Sequence, residues 1–144
     1  MTVRVERIVE VPVPPERVWE FIVDPANRAR SISVVTDYEV KDGDGRKATW
    51  WIMLPLPVVR RSIRVDTEDV ERRAPEYVEF TGRSKVLNVT GEHTIEPTKE
   101  GTRLVNRFVV EGRIPGVERF FRRNLDREME NLERTLREDL GLEV

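Results

Sequence analysis

Side chains able to do chemistry near neutral pH are few here: the sequence has one histidine, His93, and no cysteine. Imidazole is the side chain whose ordinary pKa falls near neutrality, so His93 is the first residue to weigh as a proton donor or as an anchor for a polar ligand group. An isolated histidine with no carboxylate to orient it makes a poor general base, and a core histidine satisfied by one neighbour is the commoner arrangement. The absence of cysteine excludes a disulfide framework, a thiolate nucleophile and thiolate-bound zinc or iron–sulfur sites, and a single histidine excludes multi-histidine metal centres. No metal and no cofactor is therefore expected. No serine or threonine stands in a nucleophile-elbow context, and no glycine-rich phosphate loop occurs.

The charged clusters read as surface. Asp42-Gly43-Asp44-Gly45 opens like a calcium loop, but Arg46 and Lys47 take later ligand positions and no Glu stands at the required spacing, so a hairpin turn is expected. The acidic run Asp66, Glu68, Asp69 and Glu71 reads as a solvated strand end. Arg119, Arg122, Arg123 and Arg127 are interspersed with Glu118, Glu128, Glu130 and Glu133, the pattern of a salt-bridged solvent face on a helix. With 25 Lys+Arg against 27 Asp+Glu over 144 residues, the chain lacks the basic bias of a nucleic-acid binder. It has the length of one domain, residues 1–144.

No leader-type apolar stretch opens the sequence, and the most apolar window, Trp50 to Val59, is interrupted by Pro55 and Pro57 and falls short of the ~20 residues of a membrane helix. A cytoplasmic location is expected, with Asn88-Val89-Thr90 a chance sequon. Leu54-Pro55-Leu56-Pro57-Val58 reads either as an apolar turn capping the core or as a lip in transient contact with a membrane. Arginine dominates the basic residues and glutamine is absent, which is compatible with a heat-adapted source.

Elements able to position these residues follow from periodicity. Alternation predicts a strand over Thr2–Val11, stopped by Pro12. Pro14-Pro15-Glu16 starts a helix bearing Val18, Trp19, Ile22 and Val23 on one face, and a short second helix is predicted over Ala26–Ser31. Strands are predicted near Val34–Lys41, Arg46–Leu54, Val58–Val70, Tyr77–Thr81, Val86–Glu96 and Thr102–Gly112, separated by short turns that impose antiparallel pairing. After Ile114-Pro115-Gly116 a long helix runs from Val117 to about Leu140, its apolar positions recurring every three or four residues, with Gly141 as its stop. A seven-stranded antiparallel sheet and one long helix can hide both apolar faces if the sheet curls around the helix.

That order resembles the helix-grip superfamily of START and pollen-allergen proteins, also called SRPBCC, over essentially the whole chain. The opening Val11-Pro12-Val13-Pro14-Pro15-Glu16-Arg17-Val18-Trp19-Glu20-Phe21-Ile22-Val23-Asp24-Pro25 is similar to the family's strand, proline-flanked turn and aromatic-bearing helix. Ile114-Pro115-Gly116 and Glu130-Asn131-Leu132-Glu133-Arg134 are similar to the ending of its polyketide cyclase/dehydrase and lipid-transport branch. Where many relatives carry a tryptophan after the Asp-Pro, this chain has Arg30-Ser31-Ile32. The resemblance implies an α+β helix-grip fold whose cavity, between sheet and helix, takes an apolar small molecule or lipid. The superfamily holds both carriers and enzymes.

Strand parity gives the residues expected to line that cavity. Leu104, Asn106, Phe108 and Val110 share one side of the last strand, and Leu87, Val89, Gly91, His93 and Ile95 one side of its neighbour. A turn at Thr98–Gly101 sets Pro97 opposite Thr102, His93 opposite Asn106 and Gly91 opposite Phe108. Val78 and Phe80, Ile63 and Val65, and Val34, Tyr38 and Val40 are expected to face inward, and Trp50 is favoured inward over Trp51. The expected ligand-binding set is therefore Tyr38, Trp50, Ile63, Val65, Phe80, Val89, His93, Asn106, Phe108, Phe121, Leu125 and Met129. A carrier of this kind is expected to hold a cavity of at least ~300 Å³, a smaller one filled by its own aromatics counting heavily against it, and to act as a monomer or homodimer. The alternatives are a cyclase, dehydratase or aromatase using His93, Tyr38 or Arg61 as acid or base, and an accessory or assembly protein for an oxidoreductase.

Overall fold

The computed structural model describes residues 2–41, 43–56 and 62–143. The alternating N-terminal segment is strand β1 (Thr2–Val11). Helices α1 (Pro15–Ile22) and α2 (Pro25–Arg30) follow, each with proline in its first turn; the Asp24 carboxylate caps α2 by accepting from the Ala26 amide at 2.9 Å. Six strands complete the sheet: β2 (Val35–Val40), β3 (Lys47–Ile52), β4 (Ile63–Arg73), β5 (Tyr77–Arg83), β6 (Leu87–Pro97) and β7 (Thr102–Gly112). The last element is α3 (Val117–Asp139), which starts after Gly116 at φ 93° and ends before Gly141 at φ 75°, a left-handed conformation that glycine adopts without strain. Residues 58–61 of the strand predicted over Val58–Val70, Arg61 among them, lie outside the described residues, as do Asp42 and the Pro57-Val58 end of the proline-rich turn.

The strands form one antiparallel sheet in the order β1-β7-β6-β5-β4-β3-β2. The β6–β7 register is the one the four-residue turn predicts: Pro97 opposite Thr102, His93 opposite Asn106 and Gly91 opposite Phe108. Trp50 is buried on the inner face, with Ala48 and Ile52.

Two apolar clusters lie under α3. The first joins Phe121, Leu125 and Met129 to Trp50, Val65, Phe80 and Phe108. The second joins Leu132 and Leu136 to α1 (Val18, Phe21, Ile22) and to Val78, Ile95 and Leu104 of the sheet. Leu54 is buried in the first cluster and Leu56 packs against it, so the described part of the proline-rich turn caps the core. Tyr38 and Val40 share the inner face, opposite Trp50 and Ala48, yet are not buried there: Tyr38 is 37% and Val40 39% exposed. The cause is their place on β2, the edge strand, whose register shifts between Val35 and Asp37 and whose later residues run beyond the covering elements.

Candidate ligand-binding site

Between sheet and α3 lies a narrow cleft of about 40 Å³. Its floor is Trp50 and Ile52 of β3, Val65 of β4, Leu87 and Val89 of β6, and Phe108 and Val110 of β7. Phe121, Leu125 and Glu128 of α3 roof it, and Ile32, Val34 and Val35 close the side. Ile32, Val34, Val35 and Val89 are half-buried, which marks where the cleft approaches the surface. Wider hollows, such as that of about 440 Å³ between Arg4, Glu92 and Arg107, lie on the solvated surface and lack an enclosing wall.

The expected volume of ~300 Å³ is thus corrected to a space for two or three water-sized molecules. Aromatic rings fill the rest: Trp50 and Phe108 each stand within 6 Å of Phe80, centroid to centroid, at 5.7 and 5.8 Å. Six of the predicted residues line the cleft, namely Trp50, Val65, Val89, Phe108, Phe121 and Leu125. Phe80, His93, Asn106 and Met129 are buried behind its wall, Ile63 packs at the edge of the same cluster, and Tyr38 lies outside.

Behind the wall is a polar core. His93 and Asn106 are fully buried and joined at 2.7 Å through Nδ1 and Oδ1. Burial drives the His93 pKa down to about 3, Asn106 opposing and the Arg28 charge assisting, so the ring is neutral. With Nδ1–H donating to Asn106, the Nε2 lone pair is left without a partner, as is Asn106 Nδ2. The imidazole stacks on Phe80 (6.1 Å, 12°) and meets Phe108 edge-on (5.6 Å, 71°).

Phe80 carries a cation as well, the Arg28 guanidinium lying 4.9 Å from its centroid. Arg28 donates to Asp69 Oδ1 at 2.6 Å, and Arg72 donates from Nε to Asp69 Oδ2 at 2.9 Å. Arg72 also binds the carbonyls of Asp44 and Gly45, tying the β2–β3 turn to the core. Burial lowers the Arg28 pKa and the Asp69 carboxylate opposes that shift.

Aromatic placement depends on Gly91, because a Cβ there would lie 2.2 Å from Phe80 Cε1. Gly91→Ala is therefore expected to push the Phe80 ring off its neighbours and to cost about 1–3 kcal/mol, read as a lowered urea midpoint with altered near-ultraviolet dichroism.

Two residues of the interior, Asp69 and Glu128, belong to clusters whose composition reads as surface, and a third, Arg28, carries no signal in the sequence pattern. Asp69 is 4% exposed, a correction to the solvated acidic run, and its parity with Ile63 and Val65 on β4 is the signal that places it inward. Glu128 is 2% exposed, a correction to the solvated helix face, and it stands three residues after Leu125 and four before Leu132, on the apolar stripe of α3. Arg28 shares the buried face of α2 with Pro25 and Ala29, a face too short to show periodicity. Glu128 Oε1 accepts from the Ser33 amide (3.2 Å), Ser33 Oγ (2.8 Å) and Asn131 Nδ2 (2.8 Å), whereas Oε2 is buried without a partner. Among the described residues no group of three or more His, Asp or Glu could hold a metal, and no helix is long and apolar enough to cross a membrane.

An antiparallel sheet gripping a C-terminal helix over an apolar cleft defines the helix-grip fold of the SRPBCC superfamily. The chain belongs to the family of polyketide cyclase / dehydrase and lipid transport proteins, which it matches over residues 2–137. No protein of curated function matches it significantly. Among solved structures it is similar to a START superfamily protein from Mycobacterium smegmatis (TM-score 0.74, 14% identity, 96% of this chain and 97% of that one). It is also similar to a conserved protein from Geobacillus kaustophilus (TM-score 0.75, 15% identity, 96% and 95%). A third is Zhui, an aromatase/cyclase from a Streptomyces species (TM-score 0.70, 14% identity, 94% and 92%). At these identities the likeness is one of fold.

Proposed function

We propose that this protein binds a small apolar molecule, or one chain of a lipid, in the cleft between the sheet and α3, without acting on it chemically. The carrying observation is the cleft itself: nearly every residue around it is apolar, and it reaches the surface beside the 32–35 segment. Small-ligand sites are usually apolar hollows with few polar groups. Its 40 Å³ cannot hold such a molecule as it stands, so binding parts Phe121 and Leu125 from Val34 and Val35.

Catalysis is less well supported, because His93 lies behind the wall and burial depresses its basicity. Tyr38, the other acid–base candidate among the described residues, stands outside the cleft. The oxidoreductase-accessory alternative has no feature of the cleft in its favour. The test is titration with a neutral fluorescent naphthylamine dye. Saturable binding of one dye per chain with a Kd of roughly 10 µM is expected. Val89→Phe, which fills the cleft, is expected to abolish binding while leaving the urea midpoint nearly unchanged. Failure of the dye to saturate, or equal binding by the filled variant, would refute the proposal.

A further inference from the structure

Two side chains that line the cleft each hold a buried polar atom without a partner among the described residues, although the surface the cleft presents is itself apolar. Among its described lining residues, Trp50 Nε1 and Glu128 Oε2 are buried and lack a hydrogen-bond partner. One is a donor and the other an acceptor. They stand on opposite walls, Trp50 in the sheet and Glu128 on α3. Leaving such groups unpaired is costly, more so for a carboxylate, so a partner that arrives with the ligand is strongly favoured. Glu128 is also held in place, its other oxygen fixed by Ser33 and Asn131. Both atoms are sealed against the wall in the narrow cleft, and the parting of side chains required to admit a ligand is the movement that would free them.

We infer that the ligand is a mostly apolar alcohol or phenol, its hydroxyl donating to Glu128 Oε2 and accepting from Trp50 Nε1. This rests on the cleft being a binding site. The choice of hydroxyl follows from counting donors and acceptors. A hydroxyl brings one donor and acceptor lone pairs, which matches the two unpartnered atoms. An ammonium brings three donors to a cleft whose lining side chains offer one free acceptor, and it sets a positive charge against the indole N–H. A ketone or ether leaves Glu128 unpaired, and a ligand carboxylate meets it as a like charge.

The experiment is displacement of the naphthylamine dye by four compounds sharing one ring: benzyl alcohol, benzyl methyl ether, benzylammonium and toluene. Benzyl alcohol is expected to bind about tenfold tighter than each of the others, the worth of one good hydrogen bond. Glu128→Gln, which can keep an oxygen for Ser33 and Asn131 but turns a second donor towards the ligand, is expected to cost the alcohol about tenfold and to narrow its lead over the ether. Trp50→Phe, which keeps an aromatic ring, is expected to weaken alcohol and ether alike, by several-fold. Equal binding of alcohol and toluene, tightest binding of benzylammonium, or an alcohol preference untouched by both variants would each overturn the assignment. In those cases the dye still binds. Absence of dye binding instead removes the cleft as a site, so the two failures are distinguishable.

Discussion

Lowering the pH from 7 to 4 is expected to destabilise the wild-type protein by several kcal/mol more than it destabilises His93→Gln. The unfolded chain binds a proton on His93 near pH 6.5, whereas in the folded chain burial holds that pKa at about 3. Above 6.5 the imidazole is neutral in both states and stability is complete. As the pH falls towards 3 the unfolded state alone takes up the proton, and stability declines by up to about 1.4 kcal/mol per pH unit. The loss approaches a limit on the order of 5 kcal/mol, a large share of the ~5–15 kcal/mol that holds a domain of this size together. Glutamine at position 93 has no proton to gain and can still hydrogen-bond Asn106. Carboxylates such as Asp66, which the hydrogen bond from Arg64 holds low, lose their contributions in both proteins and cancel in the difference. Urea midpoints measured at each pH unit provide the comparison. Parallel curves for the two proteins would show that His93 is reached by solvent or relieved by a local opening.

Asp69→Ala is expected to cost about 3–5 kcal/mol, the largest effect of any single substitution considered. Its carboxylate is the shared partner of two guanidiniums, and removing it strands Arg28, 2% exposed, as a buried cation over Phe80. Arg28 Nε and Nη1 are already without hydrogen-bond partners, so this cation has no second anchor to turn to. Arg72 is less affected because its side chain reaches the margin of the core and keeps the Asp44 and Gly45 carbonyls. Replacing both buried partners, Arg28→Met with Asp69→Leu, is expected to recover much of the loss, since an apolar pair of similar volume avoids the desolvation that the ion pair carries. A double-mutant cycle read by urea denaturation checks this. A cost below 1 kcal/mol for Asp69→Ala would mean that water replaces the carboxylate.

Legibility from sequence tracked the length of each pattern. β1 and β7 alternate over ten and eleven residues, and α3 repeats its apolar positions over 23, so their positions and the β6–β7 register emerged from periodicity and one four-residue turn. β2 has six residues and lies at the sheet edge, where parity says which way Tyr38 points but not whether anything covers it. The buried charges were obscured for a different reason. Asp69 and Glu128 sit among other acidic residues, and composition suggested solvation where position on the face dictated burial. Six of the twelve predicted site residues border the cleft, but its width depends on how Trp50, Phe80, Phe108 and Phe121 share the interior, which periodicity does not determine.

The pairing of β1 with β7 sets Thr2 against Glu111 and Val11 against Thr102, joining segments from the two ends of the sheet's sequence. Of the seven strands, the first to leave the ribosome is therefore among the last to find its neighbour. Until β7 has been synthesised, β1 presents an unsatisfied row of amides with Val3, Val5 and Val9 on one side, an invitation to mispair with another nascent chain. Loops this long close slowly, which places the protein among folds of high contact order and slow folding.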